Sequence, residues 1–155
     1  SAVQSEYSLV SLDIEASVNP ACIEVGATLV AYSPLGRGML SGRFKEESLG
    51  EGDYRSNTPR FQGDAYKANV ALVDEIEIIA NAKLCKPAQV ALAWVLGRGE
   101  HVMTIPGTTQ LKNLKANLGA YEVELSDNEK ATLDQLADRV MGDRYDERGM
   151  SIINA

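Results

Sequence analysis

Histidine is nearly absent from this sequence: His101 is the only one, and it is joined by just two cysteines, Cys22 and Cys85. One histidine cannot form a ligand pair for a metal, nor does the chain show a His-based catalytic triad. No CxxC spacing links the cysteines, so neither a zinc knuckle nor a disulfide framework is expected, and both thiols read as free. Positive charge is also short, with 15 Lys and Arg against 22 Asp and Glu and a net charge of -7. That balance opposes binding to nucleic acid or to anionic lipid, although a local basic patch can still hold a small anion. No segment reaches the ~18 consecutive apolar residues of a membrane span. No charged and apolar leader pattern precedes the first strand-like segment, so a cytoplasmic protein is expected, and the start at Ser1 reads as a cut or an internal boundary.

What is present is the composition of an ordinary globular domain, 45% hydrophobic and 24% charged over 155 residues, enough for one domain with a real core. Ala2 to Glu6, Thr28 to Ser33 and His101 to Ile105 read as short strands. Helical sequence follows each. Pro20 suits a first helical turn and Gly26 a stop. Leu72, Val73, Ile76, Ile79 and Ala80 fall on one helical stripe, and "AQVALAWVL" after Pro87 is apolar nearly all round, with Trp94 as a core anchor. Leu111, Leu114 and Leu118 mark one face of a further helix. Ser126 and Glu129 form a capping box for a last helix, with Leu133, Leu136, Ala137 and Val140 on its buried side. Strand-helix alternation implies parallel strands joined by crossovers, an α/β architecture. The domain spans 1–141, and the charged tail 142–155 is expected to be irregular.

Between Leu35 and Gly63 lies a long glycine-rich stretch that carries Arg37, Arg43, Lys45, Arg55 and Arg60. It reads either as a solvated excursion or as a lid over a ligand. The second reading is favoured because ligands bind at the C-terminal tips of parallel strands.

Right-handed crossovers bring those tips to one face. Gln4 lies near the first; its amide can pair with a carboxamide or satisfy backbone groups. Tyr32 and Ser33 end the second strand, and Tyr32 can stack on a planar ring or serve as a core aromatic. Beyond the third strand, "IPGTTQLKNLKANLGA" (105–120) places Gly107, Thr108 and Thr109 before a helix whose first amides are free donors for an anion. Either threonine can equally be a simple N-cap. Lys112 and Lys115 add charge in a stretch without acids.

"VQSEYSL", "VAYSPLGRGMLSGRF" (30–44), "KPAQVALAW" and "IPGTTQLKNLKANLGA", in this order, resemble the C-terminal half of an aldo-keto reductase, in particular the microbial branch of pyridoxal reductase-like enzymes. The resemblance covers essentially the whole chain. It implies part of a (β/α)8 TIM barrel, about three βα units plus a C-terminal helix, with the barrel incomplete. It also implies NADP(H) as cofactor and an aldehyde or ketone as substrate. By resemblance, Gln4 holds the nicotinamide carboxamide and Tyr32 stacks on the nicotinamide. Ser33, Pro34, Leu35, Gly36, Arg37 and Gly38 follow the pyrophosphate. Gly107, Thr108, Thr109, Gln110, Asn113 and Asn117 surround the 2′-phosphate and adenine. Many relatives carry a cation where Asn113 stands, and Lys112 or Lys115 is expected to compensate. Lys86 takes the place of a capping Ser or Thr.

The family's tyrosine acid, with its lysine, aspartate and histidine, belongs to the half of the barrel before this sequence. No catalytic residue is therefore expected within these 155 residues, and three strands cannot close a barrel. Activity is expected to need an N-terminal half or a partner chain covering the sheet edges. The alternative is a noncatalytic half-barrel that binds or self-associates. A Rossmann-type oxidoreductase is disfavoured, since no GxGxxG follows a strand.

Overall fold

A computed structural model describes every residue except 46, 48, 154 and 155. Parts of the loop and tail expectations fall on those four positions and lie outside the described residues. Three strands form a parallel sheet in the order β1 (Ala2–Glu6), β2 (Thr28–Tyr32), β3 (Val102–Thr104). The third is shorter than the apolar run around it, yet Leu29 N–H donates to the His101 carbonyl and Ile105 N–H to that of Ala31, so the ladder extends to both flanks.

In a parallel pair, residues in register point to the same face. Leu29 and Val102 are partners, as are Ala31 and Thr104. On this face Leu29 and Ala31 are fully buried, among Val90, Ala91, Trp94 and Val95 of α4 (Pro87–Leu96). The helix α4 is apolar all round because it is packed all round: α3 (Val73–Ala82) adds Ile76 and Ile79 on one flank, and α6 (Asp127–Asp134) adds Leu133 on another. Trp94 is the expected anchor, and its indole N–H donates to Asp134 at 2.8 Å. His101 has a structural partner, its Nε2 lying 2.7 Å from the Asn19 side-chain oxygen.

The opposite face carries Gln4, Val30 and Met103 in register. Gln4 is exposed and Met103 is 52% exposed. The helix α5 (Leu111–Leu118) adds an uncovered apolar stripe, with Leu111 at 66% and Leu118 at 60% exposure. Its leucines share a face, as their spacing predicts, but none of them is buried.

Local signals account for some element ends. Pro20 sits in the first turn of α1 (Val18–Val25), and Gly26 ends it in the left-handed region at φ 66°. The Ser126–Glu129 capping box opens α6, with Ser126 N–H donating to Glu129 at 2.7 Å.

Two stretches carry more local structure than their composition suggests, and for the tail this corrects the expectation. Between β2 and α2 (Gly63–Ala71) the described residues include 3₁₀ turns at Gly36–Ser41, Arg43–Lys45, Tyr54–Asn57 and Pro59–Phe61, and Met39, Phe44 and Phe61 build a small apolar cluster. Phe44 and Phe61 meet edge to face at 5.7 Å, a contact that alternation patterns cannot reveal. The tail is not irregular either: α7 spans Glu147–Ile152, and Asp146 caps it by accepting from Gly149 N–H at 2.8 Å. Before α7, Met141 and Gly142 are tied to the body. Buried Asn69 donates to the carbonyls of Arg60 and Met141 and accepts from Met141 N–H, and Arg60 donates to the Gly142 carbonyl. Gly142 is in the left-handed region at φ 80°, and a Cβ there would lie 3.0 Å from the Pro59 backbone.

Candidate functional site

The chain leaves β2 through a tightly coiled turn. Ser33 (φ 48°), Gly36 (φ 54°), Arg37 (φ 58°) and Gly38 (φ 94°) all adopt positive φ. Each non-glycine in that region costs on the order of 1 kcal/mol, so surrounding contacts must hold the turn. Gly36 has no room for a side chain, since a Cβ would stand 3.0 Å from Val10 Cγ2. Arg37 is held from behind. Its guanidinium donates to the Arg144 carbonyl at 2.5 Å, lies 3.5 Å from the Glu6 carboxylate, and stacks 4.3 Å over the Tyr145 ring. Tyr145 donates to Glu6 at 3.3 Å, and Arg144 pairs with Asp13 at 2.5 Å. The tail thus fastens the turn that follows β2. From the front, Arg55 donates to the Arg37 carbonyl at 2.9 Å, stacks 4.8 Å over Phe44 and is ion-paired with Asp53. Arg55 pulls the Asp53 carboxyl down to about 2.

After β3, Pro106 to Gln110 lead into α5. Gln110, not a threonine, occupies the cap position, and Thr108 accepts the Gln110 N–H at 3.1 Å. The first amides of α5 keep the free donor character of any helix start. Between this segment and the β2 turn runs an open cleft of about 1130 Å³. That is larger than the roughly 300–1,000 Å³ of typical small-ligand pockets and suits an extended ligand.

The expected site residues largely converge. Ser33, Pro34, Leu35, Arg37 and Gly38 line one side of the cleft, and Gly107, Thr108, Thr109, Gln110, Asn113 and Asn117 line the other. Gly36 instead turns inward against Val10 and Leu40. Gln4 and Tyr32 lie outside the cleft on the open face of the sheet, Tyr32 beside Glu6 in register. Burial, then the adjoining Tyr145 phenol, push the Tyr32 phenol up to about 12.

The cleft is cationic in an acidic chain. Arg37, Arg43, Arg55, Lys86 and Lys112 line it, with Glu47 as the one carboxylate among the described residues. Of the two lysines expected to compensate for Asn113, Lys112 lines the cleft and Lys115 does not. Lys86, at the N-terminal end of α4, stands where the sequence suggests only a poor cap. Its own amide donates to Gln89 at 3.0 Å. The Glu6–Arg37–Arg144–Tyr145 cluster also escaped the sequence reading, its sole trace being an arginine and a tyrosine in a charged tail.

No metal-binding group of three or more His, Cys, Asp or Glu occurs among the described residues, and no helix there is long and apolar enough to cross a membrane. Among the described residues no tyrosine hydroxyl is hydrogen-bonded to a lysine. Tyr7 is fully buried, donates to Glu15 and accepts from Arg98, and burial raises its phenol, which makes it a poorer acid.

A parallel sheet backed by helices, with a tightly coiled turn at one strand tip and a helix start at the next, is the layout of a partial (β/α) barrel. The profile of the Aldo/keto reductase family matches residues 1–138, and the chain belongs to that family. A similar protein is an aldo-keto reductase of Schizosaccharomyces pombe, yakc, whose name specifies NADP(+). It is 44% identical over 151 residues, which are 94% of this chain and 44% of that protein. Among solved structures, a glycerol dehydrogenase from Gluconobacter oxydans superposes with a TM-score of 0.81 at 26% identity, over 94% of this chain and 45% of the other. A thermostable aldo-keto reductase in complex with the inhibitor epalrestat gives 0.63 at 29% identity, over 87% and 39%. The chain therefore spans less than half the length of these relatives, and its three strands leave the barrel open.

Proposed function

We propose that this chain is the cofactor-holding part of an NADPH-dependent reductase of aldehydes or ketones, and that residues outside these 155 supply the proton donor. One observation supports the reading: the exits of β2 and β3 line a single cationic cleft of about 1130 Å³. The donor set fits such a ligand. The coiled turn Ser33–Gly38 presents backbone to a pyrophosphate, and the Gly107–Gln110 segment with Asn113 and Asn117 offers small polar groups around a phosphate and an adenine. Gln4 and Tyr32 then hold the nicotinamide end, Gln4 through its carboxamide and Tyr32 through its ring face. The bound cofactor would supply the hydride.

The acid is the missing part. A phenol that delivers a proton near neutral pH needs a neighbouring cation to lower its pKa, whereas Tyr32 and Tyr7 are shifted upward. The open face of the sheet and the leucine stripe of α5 are what an incomplete barrel leaves bare. The same bare surfaces favour a second reading, a noncatalytic half-barrel that covers them with another copy of itself.

Mixing the 155-residue chain with NADPH and a general aldehyde tests the proposal. Cofactor binding without turnover is expected, with turnover appearing when an N-terminal barrel half is supplied. Turnover by the chain alone would refute the missing acid, and a stable homo-oligomer that binds no dinucleotide would favour the second reading.

A further inference from the structure

Behind the β2 turn, Glu6 gathers partners from the turn, the tail and the segment after β1. It is 3% exposed and ends β1, in register with Tyr32. Its carboxylate accepts from the Arg37 guanidinium at 3.5 Å, the Tyr145 hydroxyl at 3.3 Å and the Ser11 hydroxyl at 3.4 Å, with the Arg144 guanidinium at 3.9 Å. The space left between Glu6, Arg37, Arg60 and Arg144 is about 10 Å³, no more than one water fills.

Arg37 belongs to this hub more than to the cleft it borders. Its side chain is 8% exposed, and both terminal nitrogens are engaged, one by the Arg144 carbonyl and one by Glu6. The planar head lies 4.3 Å over the Tyr145 ring. A guanidinium committed in this way has little left to offer a phosphate in the cleft. What it fixes is its own backbone, which stands at φ 58° between Gly36 at 54° and Gly38 at 94°. An L-residue does not keep that conformation unaided.

Tyr145 touches both ends of the segment that leaves β2: its ring stacks on Arg37 and its phenol adjoins Tyr32. It is itself fixed by its chain neighbours, since Arg144 pairs with Asp13 at 2.5 Å and Asp146 caps α7. The ring is therefore a rigid back wall against which the turn is set.

We propose that Tyr145 is a positioning residue for the cofactor: through Arg37 and Tyr32 it holds the β2 turn in the shape that receives a dinucleotide, without touching the ligand. This rests on the cofactor reading above and extends the site to the C-terminal tail. A ligand fragment confined to the β3–α5 wall should be indifferent to Tyr145.

Amide hydrogen exchange of the ligand-free 155-residue chain, resolved by residue, tests the link without any cofactor. The amides of Gly36, Gly38 and Leu40 close the turn onto the Ser33 and Leu35 carbonyls, while Leu29 N–H, bonded to the His101 carbonyl, reports on the sheet. Y145L should speed exchange at Gly38 and Leu40 about tenfold, as expected for losing a stacked cation and one hydrogen bond, and leave Leu29 unchanged. Y145F, which keeps a ring over Arg37, should recover most of that protection. In calorimetric titrations Y145L should weaken NADPH about tenfold and Y145F by less than about threefold, with 2′,5′-ADP bound as by the parent. Turn exchange that Y145L does not alter, or acceleration shared equally by Leu29, would overturn the positioning role. Unaltered NADPH affinity, or an equal loss for NADPH and 2′,5′-ADP, would overturn it as well. Faster exchange confined to the turn, in a chain that binds no NADPH even as the parent, would keep the hold of Tyr145 on the turn and sink the cofactor reading.

Discussion

On one side of the sheet Leu29 and Ala31 have no exposed surface, while one residue away on the other side Val30 and Met103 look out on open space. At β2 the same sheet thus has one face covered by its own helices and one that is not, while Val3 of the edge strand β1, on the covered side, is still 40% exposed. Burial on the finished side follows from crossover geometry: each helix returns over the sheet and packs back onto it. The unfinished side holds Gln4 and Tyr32, which the cofactor reading assigns to nicotinamide. Stability and chemistry are therefore divided between the two faces.

Substitutions can probe that division. Leu29→Ala removes a fully buried side chain from the finished face and should cost about 3 kcal/mol in urea unfolding of the chain. Met103→Ala, its counterpart on the open face, should cost no more than about 0.5 kcal/mol. Comparable losses at the two positions would mean that the open face is already covered in solution. Asn69→Ala lies between these limits. It strands two carbonyls and an amide where the tail joins the body, and about 2 kcal/mol should be lost in the same assay. A loss of only a few tenths would show that the tail is not fastened there.

How far the sequence foretells this arrangement depends on how local the cause is. Gly26, the Ser126–Glu129 box and the apolar run of α4 act within a few residues, and all three are legible directly. The two walls of the cleft are legible too, because strand tips must gather on one side of a parallel sheet. The back of the site is not. Tyr145 reaches Glu6 across most of the chain length, and Arg144 is buried although it stands in a charged, outwardly solvated-looking segment. Likewise nothing local marks Asn69, which is buried because the Met141 backbone meets it. Lys86 was visible as an oddity at a cap; only the cleft shows what it faces.

The central claim is that the segments following β2 and β3 grip one dinucleotide together. Amide shift mapping of the isotope-labelled chain during NADPH titration measures this most directly. The account predicts that Gly36 to Gly38 and Gly107 to Gln110 shift together along one binding curve, with the amides of α6 unmoved. Shifts confined to one of the two segments, or none in either at saturating NADPH, would contradict it.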